Sequence, residues 1–380
     1  MDRVAVLSKN GHRALMPTKS SRARRWLKEG KAVIVHNSLG IFQIQLTEDA
    51  GTELQPIVIG VDPGKLYTGI GVQSAKFTLW LAHLELPFEN VRKRMDNRRM
   101  MRRGRRGRRI NRKVAFNKRA QTLEDSLPLR YRQKRFNNRK QPKIVPSIKA
   151  NKKLERGVLD RLSIVYPFSN VVYEVVKARG DKGFSPVMIG QKWQLKELEE
   201  FGVVKPLYGW ETAQIRTQLG LEKQKHSKGD QIPETHAVDG IALACSHFIN
   251  YGIISRNTMG WRGQVKLTPA PFTVIRRPPV SRRQLHLMVP AKGGVRRKYG
   301  GTVTRHGFRK GDYVEATQGK RTVRGWVSGD TETQIAVSDA NWKRLGQFSK
   351  NKIRLLQRSA GLIVTLVKTA RFPFRTEIFR

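Results

Sequence analysis

The chain has 380 residues, of which 75 are Lys or Arg and 29 are Asp or Glu, giving a formal net charge of +46. That excess excludes a single small phosphate ligand as the main partner and calls for a polyanion on the scale of tens of phosphates, a long nucleic acid or several strands. One cysteine, Cys245, excludes internal disulfides and Cys-rich zinc fingers and suits a reducing cytoplasm, while no apolar stretch is long enough to span a membrane and no secretory signal opens the chain.

Hydrophobic residues make up 38% of the chain, enough for cores, and the length suggests two or three domains. The first fifty residues read as a small α/β unit. Residues 3–8 (RVAVLS) form a strand, and Ser20 or Ser21 caps a helix that Gly30 ends. Arg22, Arg24, Arg25 and Lys28 give that helix a basic exposed face. Residues 31–37 and 39–46 then make an apolar hairpin around an Asn-Ser turn, and 47–56 are linker-like. Three β runs follow at 56–64, 67–73 and 77–86, then a basic run at 92–119. Residues 120–165 give no clear element. Residues 169–179 (SNVVYEVVKAR) have a buried-strand pattern, and helices are expected over 188–202, through 213–221, and from Pro233 through Gly252. From about 260 the pattern becomes short alternating strands (FTVIRR, QLHLMV, GGTVTR, DYVEAT, TVRGWVSG, TQIAVS, KIRLLQ, LIVTLVK) punctuated by turns such as Lys310-Gly311-Asp312. Such a series indicates a β-barrel-like domain.

In the basic run, 15 of 28 residues are Lys or Arg and only Asp96 is acidic. Outside it the chain still holds 60 basic and 28 acidic residues, so cations are needed almost everywhere. A terminal run of this kind would read as a disordered tail, but this one lies between apolar strand-like segments, which suits an element laid across nucleic acid. Gly104 and Gly107 weaken an isolated helix by roughly 1 kcal/mol each, so the run is expected to order only against a polyanion.

Phosphodiester cleavage near neutral pH is usually done between two Mg²⁺ ions roughly 3.5–4 Å apart. Such ions want carboxylate oxygens on adjacent elements. In a chain this basic, acids within apolar strands stand out. Asp62 ends the run Ile57–Val61 before Pro63-Gly64, and Glu174 sits mid-strand, sharing a face with Val172 and Val176. His236 and Asp239 are spaced i, i+3 on a helix whose other face carries Ala237, Ile241, Ala244, Cys245 and Phe248. Taken singly, each has a plain structural reading: a turn, a salt-bridged Glu, an N-cap or surface pair. A competing pair, His226 and Asp230, lies in a Gly-containing stretch without an apolar stripe. The order of strand Asp, mid-strand Glu and helical His-x-x-Asp resembles the arrangement of RuvC-type nucleases with an RNase H-like fold.

The resemblance extends further. IGVDPGKLYTGIGV resembles the first RuvC segment, VVYEVVKAR the second and ETHAVDGIALA the third. Arg102–Arg106 (RRGRR) resembles the Arg-rich bridge helix of the transposon-encoded IscB family, and Ala14–Pro17 resembles its N-terminal PLMP motif, departing at the first residue. TAQIRTQLGLEKQKH and RRQLHLMVPAKGGVRRKYGGTV also match family patterns. Between Glu174 and His236 the only histidine is His226, which leaves no room for the family's HNH nuclease, so the chain looks like the HNH-lacking IsrB branch. No Cys-x-x-Cys zinc ribbon of the TnpB family is present.

This likeness implies an α/β fold: an RNase H-like RuvC core with a small N-terminal α/β domain, a bridge helix and a C-terminal β-rich domain. Its boundaries are 1–54 (PLMP-like), 55–91 (RuvC segment I), 92–120 (bridge helix), 121–258 (RuvC segments II and III) and 259–380 (guide RNA and target-adjacent DNA). It also implies a prokaryotic, cytoplasmic, Mg²⁺-dependent nickase of the non-target DNA strand, with Mn²⁺ as a substitute. The implied partners are a long noncoding guide RNA and target DNA, around a monomeric protein. Asp62, Glu174 and Asp239 are then metal ligands, and His236 is a further ligand or a proton-transfer group. By the same resemblance, Arg98, Arg99, Arg102, Arg103, Arg105, Arg106, Arg108, Arg109 and Arg112 are expected to bind nucleic acid. Two rivals stay open: a structure-selective nuclease such as a junction resolvase, and a non-catalytic RNA-binding protein.

Overall fold

A computed structural model describes residues 3–51, 53–109, 144–177, 186–255, 258–280 and 302–370. It is a mixed α/β protein with several sheets. The N-terminal unit contains β1 (Arg3–Leu7), β2 (Ala14–Lys19), α1 (Ser20–Lys28), β3 (Ala32–Val35) and β4 (Gln43–Leu46), with strand order β2-β1-β4-β3. Ala23, Trp26 and Leu27 form the stripe that docks α1 on this sheet, leaving Arg22, Arg24 and Arg25 exposed. Neither serine caps α1: the helix starts at Ser20 itself, with Lys19 at the cap position and no side-chain cap bond.

The centre is a seven-stranded sheet. It contains β5 (Ile57–Pro63), β6 (Tyr67–Ser74), β7 (Thr78–Glu85), β8 (Asn170–Val175), β9 (Val203–Tyr208), β12 (Ala270–Arg276) and β18 (Ile363–Ala370), in the order β18-β12-β7-β6-β5-β8-β9. Between β7 and β8 come α2 (Phe88–Arg109) and α3 (Pro146–Leu162); α4 (Pro186–Leu198) precedes β9, and α5 (Gly209–Gln218) and α6 (Ala237–Cys245) follow it. Alternation along β5 and β8 sorts side chains onto two faces. Ile57, Ile59, Val61, Val171 and Tyr173 share a core with Leu154, Val158, Leu159 and Leu162 of α3. Val58 and Val172 share the other with α6 and with Ile215 of α5.

Two expectations change here. The helix at α6 ends at Cys245, and the β-rich sequence from Ile249 instead forms a hairpin, β10 (Ile249–Ser255) with β11 (Thr258–Gly263). The late strands also divide. β13 (Tyr313–Gln318), β14 (Arg321–Asp330), β15 (Gln334–Ser338), β16 (Arg344–Ser349) and β17 (Ile353–Gln357) form their own sheet, ordered β16-β15-β14-β13-β17. By contrast β12 and β18 (FTVIRR and LIVTLVK) pair with each other, and β12 adds in parallel to β7. The reason is burial on both sides: Phe272 and Val274 enter one central core and Ile275 the other. QLHLMV lies outside the described residues, and within GGTVTR Val303 makes a single bridge to Arg309.

Helix α2 packs against α3. Arg98, Arg99, Arg102 and Arg103 are exposed on it. Arg105, Arg106, Arg108 and Arg109 belong to its last turns, and Arg112 lies outside the described residues. No helix among the described residues is long and apolar enough to cross a membrane.

Candidate functional site

Helix α6 reaches the sheet through glycine. A Cβ at Gly60 would stand 1.9 Å from the Gly240 carbonyl oxygen, and one at Gly69 would stand 1.9 Å from that of His236. Backbone therefore lies directly on backbone, closer than any side chain at these positions permits. The consequence is positional: the first turn of α6 is pressed against the end of β5, where Asp62 stands.

The parallel register pairs Val61 with Tyr173, so Asp62 and Glu174, one residue further on each strand, come level at the carboxyl ends of adjacent strands. By alternation both face α6, with Val58 and Val172. His236 is the residue just before α6 and makes no cap bond; Asp239 lies in its first turn and is buried. His236 Nδ1 is 3.7 Å from Asp62 Oδ2, an ion-pair distance and longer than a hydrogen bond. His236 Nε2 is 3.0 Å from the Lys228 carbonyl oxygen, which only accepts. Nε2 therefore carries the hydrogen when the ring is neutral, and the Nδ1 lone pair is left on the Asp62 side. The four predicted residues are thus together, while His226 and Asp230 stay in the loop between α5 and α6.

The electrostatics show how tightly the acids crowd. Burial, and then the charge of Asp62, push the Glu174 carboxyl up to about 7; Asp239 adds to this, and the Thr212 hydrogen bond and Lys223 pull the other way. Thr212 Oγ1 donates to Glu174 Oε2 at 2.7 Å, and Gly209, first in α5, leaves the helix N-terminus open towards the same carboxylate. Asp239 draws two cations: Arg216 Nη1 lies 2.5 Å from Oδ1, and Lys223 Nζ bonds Oδ2. Burial disfavours the Lys223 ammonium, yet Asp239 and Asp62 outweigh it and raise its pKa, with Arg216 opposing. Lys223 is thus the cation that all three carboxylates feel.

Arg216, Lys223 and Thr212 were missed as site residues, although they lie in or beside TAQIRTQLGLEKQKH. Their signal was their place on and just after the helix preceding the His-x-x-Asp segment. His83 was missed too. It is buried on β7 within a ring cluster, its centroid 5.3 Å from His236 and 5.0 Å from Tyr67. Burial, then the charges of His236 and Arg276, lower it to about 4, so it is neutral at pH 7.

As placed, no three His, Cys, Asp or Glu side chains among the described residues gather around one point closely enough to hold an ion. The donor set still fits a hard divalent cation: three carboxylates, with the imidazole of His236 beside Asp62.

Residues 4–192, slightly under half of the chain, match the family model described as RRXRR protein. That span contains Asp62 and Glu174, but not Lys223, His236 or Asp239. Within it, Arg102–Arg106 reads Arg-Arg-Gly-Arg-Arg. No curated protein matches the chain. The solved structure of T. thermophilus RuvC in complex with Holliday junction substrate is similar over 51% of this chain and 92% of that one, at 16% sequence identity and a TM-score of 0.26. At that score the likeness is too weak to bear on fold or chemistry.

Proposed function

We propose that the chain is an RNA-guided DNA endonuclease with one RuvC-type centre on an RNase H-like core, nicking the non-target strand beside a short adjacent motif. The observation that carries this reading is that Asp62 and Glu174, level on adjacent strands, face Asp239 in the first turn of α6, with Lys223 felt by all three, in a chain of net charge +46. Burial, and then the charge of Asp62, push Glu174 up to about 7, and a divalent cation would offset both more fully than an ammonium does.

Asp62, Glu174 and Asp239 would hold two Mg²⁺ ions, with His236 Nδ1 beside Asp62. When bound, such ions polarise the phosphodiester and activate water for in-line attack. The chain's own part is positional and protic. Thr212 orients Glu174, and Arg216 orients Asp239. The Nδ1 lone pair of His236, directed by the Lys228 carbonyl, accepts the proton of the attacking water. Exposed Arg98, Arg99, Arg102 and Arg103 of α2, with the arginines that follow, hold the guide–target heteroduplex by its backbone, while pairing reads the sequence. Strands β13–β17 carry the guide scaffold and the DNA beside the target.

The test is nicking of supercoiled plasmid with Mg²⁺ by protein purified with co-expressed flanking RNA. Nicking should follow guide complementarity and vanish in Asp62→Ala. Cleavage of branched DNA by RNA-free protein would establish the structure-selective alternative. An Asp62→Ala variant equal to wild type in every assay would establish the non-catalytic one.

A further inference from the structure

The helix that holds the acids has a second, unused side. On one face of α5, Thr212 bonds Glu174, Arg216 bonds Asp239 and Ile215 enters the core. On the other, Ala213, Gln214, Thr217 and Gln218 form one wall of an open cleft of about 400 Å³, with Tyr251 and Trp261 of the β10–β11 hairpin as the other. That volume lies in the range of small-molecule pockets.

Tyr251 and Trp261 are directly paired across the hairpin, ring centroids 5.6 Å apart and planes at 63°. Trp261 is anchored against the α6-side core, whereas Tyr251 is 55% exposed. Ile253 and Met259, the next pair on that face, are 60% and 52% exposed, so the apolar strip runs outward from the cleft. Trp210, four residues before Gln214 and seven before Thr217, extends it along α5 and is 63% exposed.

We propose that this cleft seats an unpaired base of the DNA strand that the acidic site cuts, an inference resting on the function proposed above. Its two walls suit a base and not a phosphate: an aromatic face on one side, and uncharged amide and hydroxyl groups on the other. Every base has a π-face, so such a seat tolerates any sequence. The strand's backbone charge is complemented by the protein's large positive excess. The distance also fits, because one helix diameter, about 10–12 Å, separates the cleft from the carboxylates, a span of a few nucleotides. Ile253 and Met259 then act as apolar wedges against the neighbouring bases.

The test uses the full chain without divalent cation, so that no strand is cut, at salt high enough to suppress unspecific phosphate contacts. Short single-stranded DNA carrying 2-aminopurine should bind with quenched fluorescence. Tyr251→Ala should weaken single-strand binding about 10-fold and abolish the quenching, Tyr251→Phe should restore both, and duplex affinity should not change. The proposal is overturned if Tyr251→Ala binds single strands like wild type, if duplex binding falls equally, if only single-stranded RNA is sensitive to the change, or if sizing shows the hairpin buried in a dimer. The outcome is separable from the nuclease reading. A chain that never nicks but stacks a strand here keeps the cleft, and one that nicks without the Tyr251 effect loses the cleft alone.

Discussion

Each face of the central sheet takes up a glutamate, fully buried on one and partly buried on the other, and answers its charge in opposite ways. On the α3 face Glu155 is closed off completely. Lys152 Nζ reaches its two oxygens at 3.2 and 3.0 Å, Thr68 Oγ1 donates at 2.9 Å, and Tyr173 OH lies 3.3 Å from Oε2. On the α6 face Glu174 has the Thr212 hydroxyl, and its nearest charges include two further carboxylates. A buried acid with every lone pair answered is a structural element. One left among like charges is what the proposed cation site calls for.

The sharpest way to break this contrast is to unpair the closed side. Lys152→Met should cost about 3–5 kcal/mol in urea unfolding, because it strands Glu155 without its cation. A loss below 1 kcal/mol would mean that the network is not the strut that the contrast requires.

The open side should behave in reverse. Glu174 binds its proton more tightly folded, at about 7 against 4.5, so metal-free stability falls as pH rises through that window, by roughly 3 kcal/mol in total. Glu174→Gln should therefore be more stable than wild type at pH 8, and the two should converge below pH 4.5. His83 works the other way. Lowered from 6.5 to about 4, it favours the folded state above 6.5, and that stability is lost as pH falls through the same range. The opposing slopes flatten the wild-type profile between about 4.5 and 6.5. In Glu174→Gln the His83 slope should emerge as stability falling towards acid.

Lys223→Met gives the smallest expected effect. Removing the competing ammonium should tighten Mn²⁺ binding by about tenfold, equivalent to about 1.4 kcal/mol, as read by titration calorimetry. Weaker binding in this variant would mean that Lys223 supports the site and does not compete for it.

Much of this was legible in the chain. The apolar runs around Asp62 and Glu174 located β5 and β8, because strands buried on both faces leave little place for an unanswered acid. The pairing of Asp62 with His236 was harder to foresee. It depends on Gly60 and Gly69, which in sequence read as ordinary strand glycines and in space are where α6 touches the sheet. Helix α3 carried its stripe of Leu154, Val158, Leu159 and Leu162, but diluted among Lys and Arg. The separation of β12 and β18 from the other late strands follows from long-range pairing that no local pattern encodes. Lys223 and Arg216 were hidden for a simpler reason: in a chain with 75 basic residues, no single cation stands out.

The central claim is that the acids on the α6 face form one cation site, and Mn²⁺ binding by the full chain, followed by electron paramagnetic resonance at pH 7.5, tests it most directly. Wild type should bind two ions saturably, with binding lost in Asp62→Asn and in Asp239→Asn while the fold is retained. If the Asp62→Asn, Glu174→Gln, Asp239→Asn triple variant bound Mn²⁺ as well as wild type, the site assigned here would be refuted.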